Sequence, residues 1–172
     1  MAGKTFLRLV AGVWNEIRGV QSSSGAANAG DIPALDSTGL LDISMMPIGV
    51  TKEVSVFNAS EALSAGNFVN LWSDSGTLKA RKADGSTTGK EAHGFVIDAV
   101  ESGAAATVYG MSNINTGVTG KTVGAKQYLS VTVAGTSQET APTVAGQIVQ
   151  MLGIATSATS IPFQPNDVVV LA

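Results

Sequence analysis

The chain has 172 residues, 44% hydrophobic and only 13% charged, with 13 acids, 10 bases, a net charge of −3 and no cysteine. That is about one domain with room for a sizeable core; the acidic balance excludes a strongly basic nucleic-acid binder, and the missing thiols exclude a disulfide framework or thiolate nucleophile. Disorder would need lower hydrophobicity and higher net charge, and no apolar run approaches the roughly 20 residues of a membrane-spanning helix.

No secretory leader is expected at Met1 to Arg8, because Arg8 interrupts the apolar stretch. Over residues 4–20 two periods compete. Phe6, Leu9/Val10, Val13/Trp14 and Ile17 fit helical spacing. A hairpin also fits, with strands Phe6–Val10 and Val13–Ile17 around Ala11-Gly12. The β-branched and aromatic content and the central glycine favour the hairpin.

Residues 21–31 are small and polar and read as a linker or extended arm. In residues 30–47 short apolar pairs alternate with Asp, Gly and Pro turn formers, and no helix or long strand fits. Such a segment lacks apolar partners within its own chain and is expected to pack on another.

From Lys52 the pattern is β. Candidate strands are Glu53–Phe57, Phe68–Ser73, Leu78–Ala83, His93–Val100, Ala106–Tyr109, Gln127–Val133, Gln147–Ala155 and Val168–Leu171, separated by Gly, Asn and Asp turns. Leu71–Leu78 is the best local hairpin. Gly94–Val100 is nearly all apolar and reads as a central strand buried on both faces. The one weak helix candidate is Ser60–Ser64, a short capped turn. After Glu101 only Lys121, Lys126, Glu139 and Asp167 are charged. A surface this poor in charge fits burial between subunits; a Ser/Thr/Gly-rich surface is the plainer alternative.

Catalytic chemistry has few carriers. The single histidine, His93, lacks a nucleophile elbow and metal-ligand companions, and reads as a partly buried strand residue donating to a backbone carbonyl. Among the carboxylates only Asp98 and Glu101, at a strand end, resemble a catalytic pair, and a solvated strand terminus explains them far better. Asp31, Asp36 and Asp42 do not follow an EF-hand spacing. Gly117–Thr122 contains Gly-Lys-Thr, but Asn115 stands where a phosphate loop needs glycine and no helix follows. Lys79, Arg81 and Lys82 read as the solvated face of an edge strand. Trp14 and Trp72 read as core or interface anchors, since 5% aromatics builds no sugar-stacking platform.

Two stretches carry a resemblance. Gly30, Ile32, Leu35, Asp36, Gly39, Asp42, Ser44 and Pro47 fill a "G-x-I-x-x-L-D-x-x-G-x-x-D-x-S-x-x-P" pattern that resembles segments preceding β domains in structural proteins of tailed bacteriophages, both head-decoration or head-fibre proteins and tail-fibre linkers. Ala62–Leu71, Arg81–Asp84 and Glu91–Val96, with Lys4–Val10 at the opening, are similar to capsid decoration (cement) proteins. The resemblance implies homotrimers seated on the major capsid protein at the outer surface of the virion, and no catalytic residues.

The expectation is therefore a mainly β chain, an antiparallel β-barrel or sandwich over residues 51–172 preceded by an extended N-terminal arm over residues 1–50. Trp14, Leu35, Leu40, Ile43, Met45 and Met46 are the expected contacts to capsid or subunit. No cofactor, metal, nucleic acid or membrane is expected. The alternative is a fibre or adhesin component binding a host receptor or glycan; an enzyme is not expected.

Overall fold

The computed structural model describes residues 5–46 and 53–172. The chain is mainly β and divides into two compact units, Met1–Thr51 and Lys52–Ala172.

The first unit opens with a hairpin. Strand β1 (Thr5–Val10) pairs antiparallel with β2 (Val13–Arg18), Val10 opposite Val13. Between them Ala11 and Gly12 have φ of 49° and 83°. Two successive left-handed residues make the tight turn whose twist matches that of the strands, so the hairpin reading prevails over the helical one. Lys4 of that reading, and Pro47 to Val50 of the patterned segment, lie outside the described residues.

Residues 21–46 hold two single turns of 3-10 helix, Gly25–Asn28 and Ile43–Met45. They are tied together by Gln21 Nε2 donating to Leu35 O (2.8 Å) and by the Ser23 N–H donating to Ser44 Oγ (2.7 Å). Val20 bridges to Pro33. The stretch read as an extended linker thus consists of short turns closed by their own polar side chains.

The second unit contains a closed barrel. Its strands are β3 (Val54–Ala59), β4 (Phe68–Asp74), β5 (Thr77–Lys82), β6 (Gly94–Phe95) and β7 (Ala105–Tyr109), in the order β3-β5-β4-β6-β7. This decides between barrel and sandwich. β4 and β5 form the expected hairpin, Asp74 opposite Thr77, with Ser75 and Gly76 at φ of 53° and 85°. One pairing departs from the antiparallel expectation: β3 and β5 run parallel, in register only at Asn58–Lys79 and Ala59–Ala80.

Several expectations are corrected. The strand placed at His93–Val100 ends at Phe95. The Val96 N–H turns to Asn67 O, and Asp98 and Ala99 are exposed. The doubly buried strand is instead β4, whose Phe68, Val69 and Asn70 are 0%, 0% and 1% exposed. Ser60–Ser64 is not helical: the Ser60 N–H donates to Ala80 O, and Leu63 exchanges backbone hydrogen bonds with Val100. Lys79, Arg81 and Lys82 lie on β5, which is flanked by β3 and β4 and is no edge strand.

Beyond the barrel come β8 (Ile114–Asn115), β9 (Lys126–Leu129), β10 (Ser137–Gln138), β11 (Ile148–Val149), β12 (Met151–Ile154), β13 (Ile161–Pro162) and β14 (Val169–Val170). β9 lies between β10 and β12, β11 pairs with β14, and β13 with β8. The strand expected at Gln127–Val133 stops at Leu129, because Ser130 Oγ accepts the Thr132 and Val133 N–H groups and turns the chain. The strand expected at Gln147–Ala155 breaks at Gln150, and a bulge follows between Met151 and Gly153. β8, β10 and β13 were not expected.

Two apolar clusters hold the unit together. Ala59, Leu63, Val69, Ala80, Val96, Ala106 and Val108 fill the barrel. Phe68, Phe95, Leu129, Leu152, Ile161 and Phe163 form the second cluster, where Phe163 lies 5.9 Å between ring centroids from both Phe68 and Phe95. β4 faces both clusters, Val69 inward and Phe68 outward, as the two-residue strand period requires.

Candidate interaction surface

The hairpin register sorts its side chains onto two faces, because directly opposed residues share a face. Phe6/Ile17, Arg8/Asn15 and Val10/Val13 lie on one; Thr5/Arg18, Leu7/Glu16 and Leu9/Trp14 lie on the other. The first face is partly covered at its base, where a Cβ on Gly19 would meet Ala34 Cβ, Ile32 O and Phe6 Cε2. The second is open: Leu7, Leu9 and Trp14 are 71%, 54% and 67% exposed.

The turns that follow present further apolar side chains. Asp36 Oδ1 accepts the Thr38 N–H (2.8 Å), the Thr38 hydroxyl (2.6 Å) and the Leu40 N–H (3.0 Å). Asp42 Oδ1 accepts the Ser44 N–H (2.9 Å) and hydroxyl (2.6 Å). These bonds hold both carboxyls below the usual carboxylate range, led by the Thr38 hydroxyl for Asp36 and the Ser44 hydroxyl for Asp42. Asp31 Oδ2 accepts from Asn28 Nδ2. Each of the three aspartates is spent on a bond within its own turn, Asp36 and Asp42 through the ordinary chemistry of Asp-x-Ser/Thr.

Around these turns Leu35, Leu40, Ile43 and Met46 are exposed, as is Trp14 on the hairpin, while Met45 is half-buried. Sequence reasoning did not name Leu7 and Leu9, although strand alternation places them beside Trp14. None of the described residues of the first unit is buried.

The second unit disposes of the polar candidates differently. His93 is exposed, and its Nδ1 accepts the Leu71 N–H (3.0 Å). The expected donation to a carbonyl is therefore reversed: with Nδ1 an acceptor, the neutral ring carries its proton on Nε2, 3.8 Å from Glu91 Oε1. Asp98 and Glu101 are exposed. Lys79 pairs with Asp74 (2.7 Å) and Lys82 with Glu61 (3.9 Å). Arg81 lies 4.7 Å over the Trp72 ring while its Nε donates to Asn70 Oδ1 (2.9 Å). Trp72 Nε1 donates to Ser60 Oγ (3.1 Å).

Lys121, with Gly117, Val118 and Thr119 before it, lines a cavity of about 150 Å³ with Gly66, Asn67, Gly135 and Ser137. Burial pushes the Lys121 amine below its ordinary range, and its Nζ donates to Ser137 O (3.0 Å). Glu139 Oε1 accepts the Thr122 N–H (2.8 Å), which pulls that carboxyl down. Lys121 is thus spent on closing a loop junction.

Among the described residues no three His, Asp or Glu side chains converge as metal ligands, and no helix is long and apolar enough to cross a membrane. Every aromatic side chain of the second unit is buried or half-buried, whereas Phe6 and Trp14 of the first are exposed. No known protein family, curated protein or solved structure matches the chain.

Proposed function

We propose that this chain is a structural protein of a tailed-bacteriophage head, a capsid decoration (cement) protein that binds the major capsid protein on the outside of the shell as a homotrimer. One observation carries the reading. The first unit presents twelve exposed large apolar side chains and, among its described residues, buries none. Such a surface reaches low free energy only against a partner. Leu35, Leu40, Ile43 and Met46 on the turn segment supply the capsid contacts. Many copies on one lattice then sum contacts that are individually weak. The role proposed is non-enzymatic.

The test is co-sedimentation of the full-length protein with empty capsids, beside a Leu40→Asp/Ile43→Asp variant. The wild type is expected in the pellet and the variant in the supernatant. A wild type that ignores capsids removes the decoration reading and favours a fibre or adhesin component. That second reading has less support, because a glycan platform needs exposed aromatic rings and the second unit has none among its described residues.

A further inference from the structure

We infer that the barrel wall has an open strand edge at Val54 and Val56 of β3, and that β14 of a second copy of this chain adds to it as an antiparallel strand. The inference rests on the homotrimer of the decoration reading, names the contact that builds it, and needs no capsid.

The opening follows from register. β3 pairs with β7 from Val54 to Asn58, but with β5 only at Asn58–Lys79 and Ala59–Ala80. Backbone polar groups alternate between the two sides of a strand. Glu53 O accepts the Gly110 N–H and the Ala59 N–H donates to Ala104 O, both on the β7 side, while the Ser60 N–H donates to Ala80 O on the β5 side. Val54 and Val56 therefore turn their N–H and C=O groups away from β7, toward the place where β5 has left the sheet. Those groups meet no backbone partner among the described residues. Such an edge is a template for an extended segment of another chain.

β14 offers a matching edge. The Leu171 N–H donates to Gln147 O, and Leu171 O accepts the Gly146 N–H. Leu171 and Val169 are thus turned to β11, where Val169 lies opposite Val149, and Val168 and Val170 are turned outward. β14 is paired to β11 through Val169 and Val170 alone, and so short a two-stranded sheet has most to gain from a third strand.

The two edges fit residue for residue. Laid antiparallel, Val54 meets Val170 and Val56 meets Val168. Each pair exchanges two backbone hydrogen bonds and sets valine against valine on one face. All four side chains are exposed. Open edges are ordinarily blunted by charge or proline, yet neither Val54–Phe57 nor Val168–Leu171 carries either. Each copy accepts a strand from one neighbour at β3 and lends β14 to the other. A contact between two different surfaces closes as a ring, which is three-fold in a homotrimer.

Proline tests each edge without removing a bond inside the chain, because the Val56 and Val170 N–H groups both point outward. By light scattering without capsids, the full-length wild type is expected at three times 17.4 kDa. Val56→Pro and Val170→Pro are each expected at the single-chain mass. Mixed in equal amounts, the two variants retain one intact β3 edge and one intact β14 edge between them, so a two-chain species is expected. A wild type of one or two chains overturns the inference. So does a variant that keeps the wild-type mass, or a mixture that stays monomeric. Should a variant unfold, amide exchange of the wild type decides. The Val54, Val56, Val168 and Val170 amides are expected to be protected in the assembly and to lose protection on dilution, in step with the mass. Exchange at the intrinsic rate in the intact assembly refutes the added strand. Failure of capsid binding with the mass and exchange results intact removes only the decoration reading.

Discussion

The side chain of Gln150 pairs with the backbone of Ala92 as a neighbouring strand would. Its Oε1 accepts the Ala92 N–H at 2.8 Å and its Nε2 donates to Ala92 O at 2.9 Å. Ala92 lies two residues before β6, and Gln150 occupies the break between β11 and β12, so one amide fastens the C-terminal sheets to the barrel. Gln150 is 3% exposed. Gln150→Met keeps the volume but leaves a buried N–H and C=O without partners. Each such orphan costs about 1–3 kcal/mol, so a loss of about 2–4 kcal/mol is expected by urea denaturation. Gln150→Glu should be no better at neutral pH, because a carboxylate cannot donate to Ala92 O.

Gly66 and Gly117 meet backbone to backbone. Gly66 has φ +77°, and a Cβ there would collide with the carbonyl of Gly117, itself unable to retreat. Gly103, at φ +84°, has open space around its missing Cβ. Both Ala substitutions carry the left-handed penalty of about 1–2 kcal/mol, and only Gly66→Ala adds a clash. Gly66→Ala should lose about 3–5 kcal/mol in total and Gly103→Ala only the smaller amount, which paired thermal melts will show.

Arg81 supports a buried amide and stacks on an aromatic ring at once. Arg81→Met removes the cation–π contact, worth about 0.5–1 kcal/mol, and strips Asn70 Oδ1 of its donor. Asn70 is 1% exposed, so the total expected loss is about 2–3 kcal/mol. Lys79→Met, which breaks a half-buried ion pair whose charges still reach solvent, should change the denaturation midpoint far less.

The turn segment of the first unit should respond to acid. Asp36 and Asp42 have folded pKa values below their ordinary 3.8. A depressed folded pKa adds stability that is complete above the unfolded value and is lost as pH falls through the folded one. The Leu40 and Ser44 amides, which these carboxylates accept, should therefore exchange slowly at pH 5–6 relative to the intrinsic rate and lose protection only below 3.8. Asp36→Asn should weaken protection of Leu40 at every pH and flatten its acid response.

Both hairpins were legible because Ala11-Gly12 and Ser75-Gly76 are turn dipeptides between alternating runs, a local signal that no tertiary contact overrides. The long barrel strands were legible for the same reason. Gly94–Val100 misled because a loop that drops Val96 into the barrel core is as apolar as a strand. β8, β10 and β13 are two residues each, too short for a local period to mark them, and β8 and β13 are selected by each other across a long stretch of chain. The break at Gln150 follows from a side-chain bond to a residue 58 positions away. At the candidate surface, exposure of Leu35, Leu40, Ile43 and Met46 could be anticipated from the lack of local apolar partners. Leu7 and Leu9 could have been added by applying the two-residue period to a hairpin already favoured.

Phe163 bears on how the protein is made. The barrel strands end at Tyr109, yet Phe68 and Phe95 of the barrel rest against a ring that is translated 54 residues later. At ribosomal speeds of about 5–20 residues per second, the finished strands wait about 3–11 s for that ring, with Phe68 and Phe95 only partly covered, by each other and by Tyr109. During that interval the nascent chain is a ready client for chaperones, and a chain truncated before Phe163 never leaves that state.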